Sequence, residues 1–257
     1  MTIRIGINGF GRIGRLAFRQ AVTMDDVEVV AVNDLIDVNY LAYLLRYDST
    51  HRKFQGDVKV ENNNLIVNGK SIRITAERDP KDLRWGDIGA DYILESTGFF
   101  LTDDKARAHI NAGAKRVVMS APSKDETPMF VMGVNHKEYQ GQEIVSNASC
   151  TTNCVVPVLK VLDDAFSLEA GAITTIHSAM NDQPVIDSYH RNDLRKTRSA
   201  MQSITPVDTG LAKGISRILP DLADCLTARA IRVPTLNVSA MDMSVSVKLN
   251  TDVDSVN

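Results

Sequence analysis

Cysteine is scarce and cannot pair off. Cys150, Cys154 and Cys225 are all the chain has, and an odd count without regular spacing excludes the disulfide framework of a small secreted protein. No apolar run approaches the roughly 20 residues that a membrane-spanning helix needs. Residues 1–8 read as a strand running into a glycine turn and lack the apolar core and cleavage site of a signal peptide. With reduced thiols, that makes the cytoplasm the expected location. Neither sign of charge is in excess: 29 Lys and Arg against 32 Asp and Glu give a formal net charge of −3. Nothing sequence-wide draws the chain to nucleic acid or an anionic membrane, and no basic cluster exceeds residues 191–198. Clustered cysteines and histidines with metal-ligand spacing are missing too, so no metal site is expected. Internal repeats and low-complexity tracts are absent.

What remains is an ordinary globular mixture, 44% hydrophobic and 24% charged, with enough length at 257 residues for two medium domains. Residues 2–8 alternate apolar and polar side chains, residues 9–14 are glycine-rich, and residues 15–22 carry helical spacing. Residues 27–32 form a nearly continuous β-branched run, the pattern of a parallel strand buried on both faces. Strands are expected at residues 65–67, 71–75, 92–95 and 116–120, and helices at 103–112 and from Cys150 to about residue 165. After that helix the pattern changes. Residues 172–177 and 237–248 read as strands of an antiparallel sheet, the second with Met241, Met243, Val245 and Val247 on one face. The expected organisation is therefore a doubly wound α/β domain over residues 1–149 and an α+β domain with an antiparallel sheet over residues 150–257.

Gly9-Phe10-Gly11-Arg12-Ile13-Gly14 is a G-x-G-x-x-G sequence. It follows a predicted strand, opens a helix, and is followed at the end of the next strand by Asp34, the whole frame of a Rossmann-type dinucleotide site. Glycines there allow a tight turn and close approach of backbone to pyrophosphate, and the helix N-terminus adds partial positive charge. An aspartate at position 34 accepts from ribose hydroxyls and repels a 2′-phosphate, which favours NAD over NADP.

Cys150 stands where a helix begins, between the hydroxyls of Ser149 and Thr151, and a thiol so placed gains thiolate character. Two other readings stay open on residue types alone: Cys150 and Cys154 as structural thiols on one helix face, or as a metal pair, the latter without the further ligands it needs. His177 ends a predicted strand. Periodicity does not pair it with Cys150.

At residues 7–15, 33–34, 76–80, 96–98, 146–154, 174–177, 208–210 and 232–235 the chain resembles the phosphorylating glyceraldehyde-3-phosphate dehydrogenase family. The resemblance implies that Cys150 attacks an aldehyde, with His177 as base and as donor to the hemithioacetal oxygen, and that inorganic phosphate attacks the resulting thioester. It implies an NAD cradle of Asn8, Gly9, Phe10, Gly11, Arg12, Ile13, Asp34, Arg78 and Ser120. It also implies phosphate-binding roles for Ser149, Thr151, Thr209, Gly210 and Arg232, and a homo-oligomer, a homotetramer by family likeness. The segment after His177 departs from this pattern. Met180 and Asp182 stand where the family places threonines, and residues 178–183, 185–187, 193–195 and 197–198 look like erythrose-4-phosphate dehydrogenase, so glyceraldehyde 3-phosphate and erythrose 4-phosphate are alternative substrates. Members of the family continue beyond residue 257, which implies a shortened chain with an incomplete second domain. That leaves a weakly active or inactive NAD-binding fragment as a reading of another class.

Overall fold

Alternation of β-branched and small residues with helical runs builds the chain in order. The elements are β1 (Ile3–Asn8), α1 (Arg12–Ala21), β2 (Val27–Asn33), α2 (Val38–Arg46), β3 (Val58–Glu61), β4 (Asn64–Val67), β5 (Lys70–Thr75), β6 (Tyr92–Glu95), α3 (Asp103–Asn111), β7 (Arg116–Met119), β8 (Ile144–Ser146), α4 (Cys150–Phe166), β9 (Leu168–His177), β10 (Thr205–Val207), α5 (Leu211–Ile218), β11 (Leu226–Arg232), β12 (Ala240–Val247) and α6 (Val253–Val256). The computed structural model describes residues 2–257. It falls into two units, one reaching to Phe130 and including Glu138–Ala148, the other made of Val131–Lys137 and Ser149–Asn257.

The first unit is a single sheet in the order β3-β4-β5-β2-β1-β6-β7-β8. The six strands from β5 to β8 run parallel, and β3 and β4 extend one edge as antiparallel strands. Its centre is apolar on both faces, as a parallel sheet covered by helices requires. Val29 and Val32 of β2 pack into a cluster with Phe10, Phe18, Leu41 and Leu45, whereas Val30 and Ala31 pack with Trp85, Ile93 and Val117 on the other side. Phe10 meets Phe18 edge to face, with ring centroids 5.5 Å apart, the arrangement that the aromatic quadrupole favours. The chain reverses direction across the sheet at β1, which lies between β2 and β6. Ligands of such sheets bind outside the carboxyl ends of the strands at that reversal.

Two glycines fix the turn after β1. Gly9 has φ +92°, and a Cβ there would lie 2.8 Å from Thr97 N. A Cβ on Gly14 would lie 2.0 Å from the Gly9 carbonyl oxygen, so α1 packs against the turn only because that position is bare.

The second unit carries a sheet in the order β10-β11-β9-β12. Antiparallel pairing holds between β9 and β12 and between β10 and β11, but β9 and β11 run parallel. The sheet is therefore mixed where the sequence predicted an antiparallel one. The parallel pair arises because β11, a short strand with arginine at two of its seven positions, returns after α5 in the direction of β9. Helix α4 is capped by Ser149, whose Oγ accepts from Thr152 N at 3.0 Å, and it packs against α5 through Gly214, where a Cβ would lie 2.8 Å from Thr152 Oγ1.

Candidate active site

At the carboxyl ends of β1, β2 and β6, within the first unit, lies a cavity of about 570 Å³ lined by Asn8, Gly9, Gly11, Asp34, Arg78 and Thr97, among others. Nothing lies within 4 Å of the place where a Cβ on Gly11 would sit, so the bare backbone there opens onto the cavity as a pyrophosphate cradle requires. Asp34 closes the turn. Its Oδ2 accepts from Phe10 N at 2.7 Å and its Oδ1 from Ile36 N at 3.3 Å. Each oxygen keeps a further lone pair for a ribose hydroxyl.

Behind the cavity wall stands a buried polar network. Asn8 Nδ2 donates to Glu95 Oε2 at 2.7 Å and Asn33 Nδ2 donates to Asn8 Oδ1 at 2.7 Å. Glu95 Oε1 accepts from Thr97 N at 2.8 Å and from the Thr97 hydroxyl. Trp85 Nε1 donates to His109 Nδ1 at 3.0 Å, and since an indole N–H only donates, His109 Nε2 carries the proton that reaches Glu95 Oε2 at 3.0 Å. Glu95 and His109 are fully buried. Both oxygens of the Glu95 carboxyl group are hydrogen-bonded, as buried polar atoms need.

In the second unit, Cys150 is the first residue of α4 and His177 the last of β9. Cys150 Sγ lies 3.7 Å from His177 Nε2. His177 Nδ1 is 2.7 Å from the Ser178 carbonyl oxygen, which can only accept, so Nδ1 carries a proton and Nε2 faces the sulfur. The hydrogen bond from His177 is the leading cause that holds the Cys150 thiol below its ordinary value, against loss of hydration, which pushes it up. His177 is raised in turn, first by its bond to Cys150 and then by the Ser178 carbonyl; burial and the charge of Arg232 work the other way. Both shifts favour the thiolate and the imidazolium, and the helix N-terminus favours the thiolate further.

The turn that leads into Cys150 and the first turn of α4 are rich in hydroxyls. Ser149 Oγ is 3.0 Å from Thr151 Oγ1 and 2.7 Å from Thr152 Oγ1. Thr209 Oγ1 accepts from Leu211 N at 3.2 Å in the first turn of α5, whose cap is Gly210. Arg232 ends β11 as the register partner of His177. Its nearly buried guanidinium donates through Nη1 to Asp182 Oδ1 at 3.0 Å.

Of the residues proposed from the sequence, Asn8, Gly9, Gly11, Asp34 and Arg78 line the one cavity. Phe10 sends its ring into the core, and Arg12 pairs with Asp48. Ile13 is exposed, and Ser120 N donates to the Glu95 carbonyl at the end of β7; these four are not among the lining residues. Sequence reasoning missed Glu77, Ser96, Thr97, Phe99 and Phe100 as lining residues. A signal was present, because residues 76–78 and 96–99 directly follow parallel strands. It also missed Lys196, whose Nζ donates to Asp182 Oδ2 at 3.0 Å.

A doubly wound sheet with a glycine turn and a cavity at its reversal point, followed by a unit that holds a thiol against an imidazole, defines a dinucleotide-dependent oxidoreductase. The model of the glyceraldehyde 3-phosphate dehydrogenase NAD binding domain matches residues 3–103, and that of the C-terminal domain matches residues 149–257. The chain belongs to the glyceraldehyde 3-phosphate dehydrogenase family, and its cofactor is NAD. It is 54% identical over 256 residues to glyceraldehyde-3-phosphate dehydrogenase of Haemophilus influenzae, covering 100% of this chain and 76% of that protein. It is likewise 54% identical over 248 residues to glyceraldehyde-3-phosphate dehydrogenase A of Escherichia coli and to the Salmonella typhimurium enzyme, covering 96% of this chain and 75% of each relative.

Proposed function

We propose that this NAD-dependent oxidoreductase oxidises glyceraldehyde 3-phosphate to an acyl phosphate, with Cys150 as nucleophile and His177 as its acid and base. The 3.7 Å approach of Cys150 Sγ to His177 Nε2 at the start of α4 carries the reading. The thiolate forms a carbon–sulfur bond to the aldehyde carbon, and the imidazolium gives its Nε2 proton to the oxyanion that results, leaving a hemithioacetal hydroxyl and a neutral Nε2. His177 Nε2 then takes the hydroxyl proton as the carbonyl re-forms. Asn8, Gly9, Gly11, Asp34 and Arg78 of the cavity wall would hold NAD, with Phe10, Arg12, Ile13 and Ser120 assigned to the same cradle by the family resemblance alone, and the cofactor would supply the hydride acceptor. Inorganic phosphate, received by Ser149, Thr151, Thr209 and Gly210, attacks the thioester carbon and expels the Cys150 thiolate, which restores the ion pair. Arg232 serves the phosphate groups. Erythrose 4-phosphate is not favoured, since the relatives that match 100% and 96% of the chain are named for the triose phosphate.

Residues 1–149 are assigned to the cofactor and residues 150–257 to catalysis, a division supported by the two units of the fold, the second of which also takes in Val131–Lys137 and Ser149. A homotetramer is supported by the exposed apolar side chains of Val185, Ile186, Tyr189 and Leu194. A cytoplasmic location is supported by three free cysteines. No helix among the described residues is long and apolar enough to cross a membrane.

The test is NADH formation by the purified chain from glyceraldehyde 3-phosphate, with and without inorganic phosphate. Phosphate-dependent turnover that disappears in Cys150→Ser is expected. Turnover retained by Cys150→Ser would overturn the assignment of the nucleophile.

A further inference from the structure

Asp182 shares its carboxylate between two cations. Arg232 Nη1 donates to Oδ1 and Lys196 Nζ donates to Oδ2, each at 3.0 Å. Both cations are well covered, with side chains 9% and 20% exposed. A covered guanidinium without a counter-charge is costly, so Asp182 supplies the negative charge that the resting site needs. Burial pushes the Asp182 carboxyl up, but the hydrogen bonds from Arg232 and Lys196 outweigh it and leave the group below its ordinary value, ionised at working pH.

The segment that carries Asp182 is built in place. Ala179 N donates to the Thr235 carbonyl at 2.8 Å, and Gln183 N closes a turn on the Met180 carbonyl at 3.0 Å. The next side chain, Gln183, is buried and sends its amide to the Arg198 carbonyl and Thr205 Oγ1. Lys196 is held on a short 3₁₀ turn, Leu194–Thr197, capped by Asp193. Asp182 is therefore aimed at Arg232 from one fixed side and at Lys196 from the other. An incoming dianion meets two cations already shared by one carboxylate. To reach Arg232 fully it must take that carboxylate's place, and to bind beside it must bear like-charge repulsion.

We infer that Asp182 is an internal stand-in for a phosphate dianion, occupying Arg232 and Lys196 in the resting protein and yielding them to the phosphate of an incoming ligand, so that it sets how tightly this site holds phosphate. The inference rests on the dehydrogenase reading only for the ligand's identity. Asp182 is a specificity residue and touches no reacting atom. Its charge selects ligands that bring two negative charges, because a monoanion gains little by exchanging with a carboxylate already in place.

Calorimetric titration of the intact chain tests this with two probes, inorganic phosphate and glycerol 3-phosphate, on wild type, Asp182→Asn and Asp182→Ser. Each substitution should tighten dianion binding about tenfold or more, the effect of removing one like charge at contact range. The gain should vanish when Arg232→Met is added. A larger gain for glycerol 3-phosphate assigns Arg232 to the substrate's phosphate, and a larger gain for inorganic phosphate assigns it to the attacking one. In turnover, KM for the aldehyde should fall while kcat does not rise, the split expected when ground-state binding alone improves. If Asp182→Asn melts far below wild type, the serine variant decides, since it frees both cations without leaving an amide between them. Unchanged or weaker dianion binding in the folded variants overturns the inference. The titration needs no turnover. Tighter binding without NADH formation would therefore count against the dehydrogenase reading alone, and NADH formation with unchanged titrations against the stand-in alone.

Discussion

His177 and Arg232 are register partners at the carboxyl ends of two parallel strands, β9 and β11. The imidazole that lies against the Cys150 sulfur thus shares its sheet edge with a permanent positive charge. The Cys150 bond raises His177 and the Arg232 charge lowers it, and the first of these prevails.

Replacing Arg232 by methionine should therefore raise the pKa of His177 further, because the opposing cation is gone and Asp182 loses one of its two partners. The imidazole resonance of His177 followed by NMR against pH reads this directly. A downward shift would show that Arg232 does not act on His177 through its charge.

Cys150 should react with iodoacetamide well below the pH at which an ordinary thiol does. The Cys150 value is lowered, first by its hydrogen bond to His177, so the thiolate forms at lower pH than in an ordinary thiol. His177→Asn should move the rise in alkylation rate toward alkaline pH. Faster labelling of Cys154 or Cys225 than of Cys150 would refute the assignment.

Asp34 has two duties that a substitution can separate. Asparagine keeps an acceptor for Phe10 N but loses the charge, whereas serine shortens the reach and opens the turn. Asp34→Asn should leave the melting temperature near wild type and narrow the gap between NAD and NADP affinity. An unchanged preference in cofactor titrations would show that the carboxylate does not read the ribose.

The glycines of the turn divide in the same way. Gly14→Ala sets a Cβ against the Gly9 carbonyl at 2.0 Å, so it should destabilise the fold by several kcal/mol, on the order of an overpacked core site or more. Gly11→Ala meets open space at a φ of −69° and should cost at most about 1 kcal/mol. It should nonetheless weaken NAD binding, because its methyl group enters the cavity. Urea unfolding and cofactor titration together separate the two outcomes.

Much of this was legible in the residues. The β-branched run of β2, the helix that begins at Cys150 and the glycine turn are local patterns, and each formed where its spacing placed it. Helix α2 was equally available, since Val38, Leu41, Ala42 and Leu45 are buried at helical spacing behind an Asp37 cap. Strand β11 was not: small residues and two arginines in seven positions look like loop until β9 lies alongside. The meeting of Cys150 with His177, and of Asp182 with Arg232 and Lys196, depends on which strand neighbours which. Spacing along the chain does not carry that information, and here the resemblance paired Cys150 with His177 while periodicity did not. The departures at Met180 and Asp182 were visible, but not that Asp182 is already engaged by two cations.

The carboxyl group of Glu95 has a consequence for how the first unit opens. It is bonded by side chains from β1 and α3 and by Thr97, two residues beyond β6, and breaking any one of these brings a buried polar group part-way to water without hydrating it. Partial fraying is thereby disfavoured relative to concerted release. The backbone amides of β1, β6 and α3 should then exchange their hydrogens with solvent as one cooperative block, slower than the antiparallel edge of β3 and β4, whose hydrogen bonds answer to no shared buried group.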